Sequence, residues 1–530
     1  MKPSPLLLAT VAALPSLTTA QSTSCPDYSS FSQSRHEPFS SGRYALSSAR
    51  PSPSCRTFTS PALEALLTNV SASISDPDLA RLFTNTYPNT LDTAVRWRGA
   101  AASDPAEELT FLVTGDIDAM WLRDSANQLQ SYLSLLEPDT KTDSIAGLFR
   151  GAINLQARQL LTSPFCNAFQ PPAESGIRPA SNPAADTDAV FPPYDKDKVF
   201  ECKFELDSLA AFLQLSVSYH EATHDAAFFG RHSWLKAVRA LLDTAGAMVA
   251  GTYGPKGEVR ESAYRFSRLT TRQTETLAND GVGAPVRETG MVRSGFRPSD
   301  DAGLFGFVVP ANMMFARYLA GASLIVDGLG EEGVEVGGLA EEMRAFSGRV
   351  VEGVKRFGVV HVPVLGGNGS GEAAVETVYA YEVDGFGSAA LMDDANVPSL
   401  LAAPVFGFLA DTDAVYRRTR ARLLSQEGNP YFMKGSVISA IGGPHVGPGM
   451  AWPMASIVRI LTSEDDGEIV SVLKELVAST DGLGLMHESI NSNNASQWTR
   501  QWFSWANGLF GQMILDLKFR KPHILQRSFQ

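Results

Sequence analysis

The sequence is short of basic residues, and this shortage limits the partners that it can bind. Its 530 residues include 44 Lys and Arg against 57 Asp and Glu, which gives a formal net charge of -13. Nucleic acids and anionic membrane surfaces both attract proteins through a basic surface. The composition therefore argues against either as a partner, and it is compatible with a neutral or cationic substrate.

Long uninterrupted apolar runs are also missing. The run from Leu6 to Leu14 is shorter than the roughly 20 residues that a membrane-spanning helix needs. It follows Lys2 and precedes the small residues Thr18–Ala20, which is typical of a cleaved secretory signal. We predict that residues 1–20 are a signal peptide and that the protein is secreted or enters the secretory pathway. A membrane anchor is the alternative.

Cysteine is scarce as well, with only four residues in the whole chain. An even number in a secreted chain predicts two disulfides, and their spacing does not match a zinc knuckle. Three pairings are possible. We favour the local one, Cys25–Cys55 and Cys166–Cys202.

Three N-x-Ser sequons are present, beginning at Asn69, Asn368 and Asn494. Asn368 lies in a glycine-rich stretch that predicts an exposed loop, so it is the best candidate for a glycan. We do not expect Asn494 to be modified, because it lies close to the site proposed below.

No Gly/Ser-rich or Pro-rich linker divides the chain, and no internal repeat is visible. Residues 21–61 are rich in Ser and Pro and predict an extended lead-in, and residues 62–530 predict one catalytic domain. Apolar residues recur there at helical spacing. The helical patterns cover residues 62–86, 123–136, 142–162, 204–219, 234–249, 308–325, 339–356, 397–424, 450–480 and 499–518. Short strands are expected at residues 109–113, 359–364 and 375–383. About a dozen helices joined by long polar loops favour a closed double ring of helices.

Three distant segments combine carboxylates, an arginine and aromatic residues. They are Thr114–Ser125, Phe296–Asp301 and Met486–Asn507. Aromatic rings stack on the C–H faces of sugars, carboxylates bind hydroxyl groups, and two carboxyl groups can share the acid and base work on a glycosidic bond. Taken alone, the first segment could be a helix start, the second a turn and helix cap, and the third a surface loop.

Two other motifs carry weaker signals. His220–His224 matches H-E-x-x-H, which would place two zinc ligands and a base on one helix face. No third ligand stands at a recognised distance, and the motif lies where an amphipathic helix ends, so we favour a polar helix end. Gly328–Gly333 matches G-x-G-x-x-G, but its two glutamates would repel a pyrophosphate. We interpret the acidic residues 327–338 as a surface loop.

Taken together, the carboxylate-rich segments resemble glycoside hydrolase family 125, the exo-acting α-1,6-mannosidases. Matching segments also include Tyr381–Gly385 and Met392–Pro404, and all of them occur in the order of the family over about residues 85–518. The resemblance implies an all-α fold, an (α/α)6 barrel with long active-site loops and a few short strands. It also implies an inverting mechanism that uses neither a metal ion nor another cofactor. The expected partner is an α-mannoside oligosaccharide, and we expect a monomer.

The resemblance assigns the general acid to Asp300 and the general base to Glu488. Inverting pairs stand about 6.5–9.5 Å apart, which leaves room for the attacking water. Asp118 stands where some family members have Pro, so it receives no role. The predicted substrate-binding residues are Asp116, Trp121, Arg123, Asp124, Arg297, Asp301, Glu382, Asp384, Asp394, His487, Arg500 and Trp502, with Trp505 a further candidate for the pocket wall.

Two alternatives to a mannosidase stay open at this point. One is a catalytically idle mannan-binding protein of the same fold, against which the presence of both Asp300 and Glu488 argues. The other is a secreted zinc peptidase that uses His220, Glu221 and His224.

Overall fold

The computed structural model describes residues 25–365 and 374–530. The predicted signal peptide and the sequon at Asn368 lie outside the described residues. Fifteen α-helices dominate the described part of the chain. Their bounds are α1 Tyr28–Phe31, α2 Pro61–Ser71, α3 Pro77–Thr86, α4 Leu122–Gln130, α5 Ile145–Thr162, α6 Leu206–Thr223, α7 Ala226–Arg231, α8 Trp234–Ala247, α9 Ala278–Gly281, α10 Val309–Glu331, α11 Leu339–Phe357, α12 Ala414–Leu423, α13 Pro453–Leu461, α14 Asp466–Ala478 and α15 Ser504–Arg520.

The strands are short and form seven antiparallel sheets of two or three strands within the described residues. Their bounds are β1 Val95–Ala100, β2 Glu108–Leu112, β3 Met120–Trp121, β4 Ala168–Phe169, β5 Ala189–Phe191, β6 Val199–Glu201, β7 Arg265–Ser267, β8 Phe307–Val308, β9 Val359–Pro363, β10 Val375–Tyr379, β11 Glu382–Val383, β12 Ala389–Ala390, β13 Phe432–Met433, β14 Ala440–Ile441, β15 Met450–Ala451, β16 Ser489–Asn491 and β17 Asn494–Thr499. Three of them, β3, β8 and β15, end just before a helix begins, so the sheets fix how the chain enters α4, α10 and α13.

Local sequence signals set several helix starts. The side chain of Ser60 caps α2 by accepting the N–H of Leu63, and Pro61 follows as the first helical residue. Asp76 caps α3 in the same way and precedes Pro77. Proline suits this position because its missing N–H would have no partner inside the helix. α2 begins within one residue of the predicted pattern over residues 62–86, but the structure divides that pattern into α2 and α3.

The helices bury one large apolar core, and their packing order positions the site. α4 packs against both α6 and α15, α6 packs against α10, and α15 packs against α13. The segments that lead into α4, α6, α10 and α15 supply the carboxylates described below, and the segment that leads into α13 supplies His445 and Trp452. An anionic group near a helix N-terminus is stabilised by the positive end of the helix dipole.

One predicted helix is largely absent and another is longer than expected. Residues 397–424 were expected to be helical, but α12 covers only Ala414–Leu423, and the preceding residues form successive turns. Pro398 and Pro404 lack the N–H that a helix interior requires, and Gly407 has a φ of 73°. The loop predicted at 327–338 is also partly wrong, because α10 continues to Glu331.

The two predicted disulfides are confirmed. Cys25 pairs with Cys55 and Cys166 pairs with Cys202, and no free cysteine occurs in the described chain. Two disulfides are consistent with a protein of the secretory pathway. The first closes a loop within the lead-in, and Arg50 of this loop forms ion pairs with Glu64 and Asp92 of the following residues.

Only one described helix, α10, reaches the length and apolarity of a membrane span. Its mean hydropathy is 1.2 over 18 residues, and 83% of that window is buried inside the protein. Such burial is what a core helix of a folded domain shows, so the helix gives no separate indication of a membrane.

Candidate active site

A cavity of about 570 Å³ opens at the N-terminal ends of the packed helices. Eight of the predicted site residues line it together. They are Asp116, Trp121, Arg123, Asp124, Asp300, Asp301, Glu488 and Arg500. The three carboxylate-rich segments therefore meet in space, although they are separated by hundreds of residues in the sequence.

Glu488 stands at the end of the loop that enters β16, and its carboxylate is held at both oxygens. Thr499 Oγ1 donates to Glu488 Oε2 at 2.9 Å, and Arg500 Nη1 donates to Oε1 at 3.4 Å. The backbone N–H of Glu488 also reaches the carbonyls of Thr499 and Arg500. The side chain is only 9% exposed. The strand pair β16–β17 thus fixes the position and direction of this carboxylate.

Arg500 joins the segment Met486–Asn507 to the segment Thr114–Ser125. Its Nε donates to Asp116 Oδ1 at 2.7 Å, and its Nη2 donates to Thr114 Oγ1 at 2.9 Å. Its backbone is left-handed, with a φ of 40°. An unusual backbone conformation at a non-glycine residue is kept only where the surroundings hold it, and such residues cluster at functional sites.

Gly115 permits this junction. Its φ is 148°, and it forms a bridge with Phe503 across the two segments. A Cβ atom at this position would lie 2.0 Å from the carbonyl oxygen of Trp502. Only glycine fits here, which explains the Thr-Gly-Asp sequence just before the cavity residues.

Asp300 lies on another wall, at the turn of the Arg-Pro-Ser-Asp-Asp segment. Its backbone is also left-handed, with a φ of 66°. Its Oδ1 accepts from Arg123 Nη2 at 3.2 Å and from Asn167 Nδ2 at 3.4 Å, and its carbonyl accepts from Lys203 Nζ at 2.9 Å. Burial alone would raise the pKa of Asp300, but Arg123, a hydrogen bond with Glu205 and Lys203 together hold that pKa well below its usual range.

Arg123 is the centre of a buried acidic cluster. Its Nη1 donates to Glu205 Oε2 at 2.6 Å and to Asp207 Oδ2 at 3.1 Å, and its Nε lies 3.4 Å from Asp124 Oδ2. With Asp300, four carboxyl groups surround one guanidinium. Arg123 is 4% exposed, and Glu205 and Asp207 are fully buried.

Four buried polar atoms of this region have no hydrogen-bond partner within the described residues: Trp121 Nε1, Arg123 Nε, Asp124 Oδ2 and Asp207 Oδ1. Trp121 and Asp124 also line the cavity. A buried polar atom without a partner carries a free-energy penalty, which a bound hydroxyl group would remove. Burial raises the pKa of Asp124 to about 6. This residue can therefore donate or accept a hydrogen bond near neutral pH.

Sequence reasoning missed His445, Trp452, Lys203 and Glu205. His445 and Trp452 follow two glycine-rich turns and line the cavity. Burial lowers the pKa of His445, but its partner Asp301 and the charges of Glu488 and other carboxylates raise it to about 9. A single His in the Gly-Gly-Pro-His segment carries no motif, so only the fold could reveal it. Lys203 and Glu205 stand in a stretch of alternating charges just before α6, which was a usable signal.

Six predicted binding residues do not line the cavity. Arg297 forms a buried ion pair with Glu382, which also accepts the N–H groups of Leu304 and Phe305 and so holds the loop after Asp300. The contacts of the other four are structural as well. Asp384 caps a turn at residues 386–388, Asp394 accepts from Ser299, His487 stacks on Trp498, and Trp502 donates to Thr93. Trp505 is buried and lies off the cavity wall too.

The H-E-x-x-H motif lies far from this site. His220 is on the last turn of α6, and His224 follows its end, whereas Glu205 and Asp207 stand at its beginning. Eighteen helical residues span about 27 Å. Within residues 25–365 and 374–530, no group of three or more His, Cys, Asp or Glu side chains is arranged to hold a metal ion.

The second disulfide flanks the contacts of Asp300. Asn167 directly follows Cys166, and Lys203 directly follows Cys202. We expect the Cys166→Ala/Cys202→Ala variant to fold with lower thermal stability and to lose turnover, because Asn167 and Lys203 would then hold Asp300 less firmly. Turnover and melting temperature are measured together, with Cys25→Ala/Cys55→Ala as the matched control. An equal loss in both variants would contradict this specific role.

Comparison with known proteins agrees with the geometry. The model of one family, described as metal-independent alpha-mannosidase (GH125), matches residues 76–515. The chain belongs to this family. The meiotically up-regulated gene 157 protein of Schizosaccharomyces pombe is 44% identical over 506 residues, which cover 95% of this chain and 94% of that protein.

A solved member of the family is also similar. It is a Streptococcus pneumoniae metal-independent α-mannosidase in a non-productive complex with α-1,6-mannobiose. Its sequence is 32% identical to this one and its TM-score is 0.74. The match covers 88% of the present chain and 100% of the Streptococcus pneumoniae chain. Family membership thus extends over all the segments that line the cavity, while the lead-in before residue 76 lies outside the matched range.

Proposed function

We propose that this protein is an inverting exo-α-1,6-mannosidase that releases terminal mannose from mannans or N-glycan-type oligosaccharides without a metal ion. The observation that carries the proposal is the meeting of Asp300 and Glu488 on one cavity in a member of an α-mannosidase family. The Streptococcus pneumoniae relative bound to α-1,6-mannobiose supports the linkage.

The helices support an (α/α)6 barrel as the scaffold of this activity. In this proposal α4, α6, α10, α13 and α15 form the inner ring, and the turns at 397–409 take the place of its remaining helix. The packing of α15 on α4, of α4 on α6 and of α6 on α10 supports such a ring. The outer ring comprises α3, α5, α8, α11, α12 and α14.

The mechanism assigns one proton transfer to each carboxyl group. Asp300, protonated, donates to the glycosidic oxygen while the bond from that oxygen to C1 breaks. Glu488, ionised, accepts a proton from the water that attacks C1 from the opposite face, so the first product is β-mannose. The hydrogen bonds from Thr499 and Arg500 orient Glu488 for this step. Asp124 and Trp121 present free polar atoms to the hydroxyl groups of the bound ring.

The direct test is proton NMR of fresh digests of α-1,6-mannobiose beside its α-1,2 and α-1,3 isomers. We expect the α-1,6 compound to be cleaved first, with β-mannose as the initial product. Initial α-mannose would contradict the roles of Asp300 and Glu488. Initial β-mannose with equal cleavage of the three isomers would retain the mechanism and contradict the linkage preference.

Chelation should leave the activity unchanged. The proposed mechanism uses two carboxyl groups and needs no Lewis acid, and the family is described as metal-independent. We expect full turnover in EDTA and in the His220→Ala variant. Loss of activity in EDTA that zinc or calcium restores would favour the peptidase-type alternative.

A further inference from the structure

We propose that Glu205 stores the proton that Asp300 delivers to the leaving oxygen. This inference rests on the proposed function and deepens it, because it adds a positioning residue behind the general acid. Glu205 immediately precedes α6, its side chain is fully buried, and it does not line the cavity. Asp300 does line the cavity, and its side chain is 24% exposed.

Two shared hydrogen-bond donors, Arg123 and Asn167, join the two carboxyl groups. Arg123 donates from Nη1 to Glu205 Oε2 at 2.6 Å and from Nη2 to Asp300 Oδ1 at 3.2 Å. Asn167 Nδ2 lies 3.2 Å from Glu205 Oε1 and 3.4 Å from Asp300 Oδ1. Two carboxyl groups that share both partners in a buried site repel each other when both are ionised, which favours one proton on the pair.

The excess of negative charge around the pair favours a bound proton. Four carboxyl groups contact Arg123, and Lys203 is the nearest other cation. When buried carboxyl groups outnumber the cations beside them, the neutral form of one carboxyl group is favoured, so the cluster binds a proton. The other titratable or charged groups that face the pair are Asp124 from α4, Glu201 from β6, Asp207 from α6, Tyr264 and His445.

The proton rests on Glu205 when the site is empty. Burial raises the pKa of Glu205 well above its ordinary value, and Asp300 and Asp207 add to the rise although Arg123 opposes it. The pKa of Asp300 is lowered, as described above. Glu205 is fully buried whereas Asp300 is 24% exposed, so the proton of the resting pair lies on Glu205 and Asp300 stays ionised.

Substrate binding moves the proton from Glu205 to Asp300. A bound sugar excludes water from the exposed part of Asp300, and desolvation favours the neutral form of a carboxyl group. The O–H bond of Glu205 then breaks and an O–H bond forms at Asp300. The same proton passes to the glycosidic oxygen as the C1–O bond breaks. Water attacks C1 and gives its proton to Glu488, which releases it to solvent, and Glu205 regains a proton from solvent.

The test compares two substrates in the Glu205→Gln variant of the full chain. Cleavage of α-1,6-mannobiose needs a proton on the leaving oxygen, whereas fluoride leaves α-mannosyl fluoride without one. We expect turnover of mannobiose to fall by about 10²-fold, which is typical for the loss of a general-acid contribution. Hydrolysis of the fluoride should stay within a few-fold of wild type. The basic limb of the pH profile on mannobiose should move to lower pH, since Asp300 loses its proton partner.

Asp207→Asn is the matched control. It removes a carboxylate from the same Arg123, but Asp207 does not share Asn167 with Asp300 as Glu205 does. We expect its basic limb to move less than that of Glu205→Gln. Equal losses on both substrates in Glu205→Gln would indicate a structural role and overturn the inference, and so would a wild-type profile on mannobiose. If the wild-type protein cleaves neither substrate, the proposed function fails and the inference with it.

Discussion

Replacing Asp300 by Asn, or Glu488 by Gln, is expected to lower the turnover of α-1,6-mannobiose by about 10²–10⁴-fold. Each replacement keeps the size of the side chain and removes one proton transfer. The fold should persist, because an amide oxygen at position 300 still accepts from Arg123 and an amide oxygen at position 488 still accepts from Thr499. The measurement is the steady-state rate, with the melting temperature as a check of folding.

The two variants should differ in their activity on α-mannosyl fluoride. Asp300→Asn keeps most of its activity on this substrate because fluoride needs no acid, while Glu488→Gln loses activity on both substrates because water still needs a base. Asp118→Asn is the matched control for loss of a cavity carboxylate without a proton-transfer role, since Asp118 also lines the cavity but its carboxylate forms an exposed ion pair with Arg96. Near wild-type turnover of mannobiose in either variant would remove that residue from the mechanism.

The sequence could predict those parts of the site in which several charged and aromatic residues lie close together in the chain. Three aspartates, one arginine and one tryptophan within residues 116–124 exceed what a helix cap requires, and the structure brings this segment to the cavity together with Asp300 and Glu488. The helix start at Pro61 was predicted within one residue, whereas the start at Pro77 was not, although its cap and N-terminal proline are a local signal.

The parts that it could not predict depend on distant contacts. Arg297 and Glu382 both looked like binding residues, but they are 85 residues apart and pair with each other behind the cavity wall. A buried arginine must find a carboxylate, and the sequence does not say which one. The alternating charges before α6 mark the position of Glu205, but its role depends on Arg123, Asn167 and Asp300, which lie in three other segments.

The Arg123→Met variant should show how strongly the acidic cluster depends on its one central cation. Methionine has a similar length but no charge, so it leaves Glu205, Asp207 and Asp300 without their shared partner. Removal of one member of a buried ion pair typically destabilises a protein by about 3–5 kcal/mol. We expect a loss of unfolding free energy of that order near pH 8, together with loss of mannosidase activity.

The sign of the pH dependence makes this prediction specific. Arg123 opposes the burial that raises the pKa of Glu205, and it does the same for Asp207. Without it these pKa values rise further, so the folded state binds more protons than the unfolded state above about pH 4. Stability of the variant is therefore fully present below the unfolded-state pKa and is lost as the pH rises toward the folded-state values.

Thermal melting at pH 5 and pH 8 measures this difference directly. The gap between wild type and Arg123→Met should be wider at pH 8, because the carboxyl groups can stay protonated at pH 5 with little penalty. Arg96→Met is the control, since its pair with Asp118 is 49% and 37% exposed and is worth less than about 1 kcal/mol at either pH. A gap that is equal at both pH values would mean that Arg123 stabilises the fold by packing, and that the carboxyl groups around it do not depend on its charge.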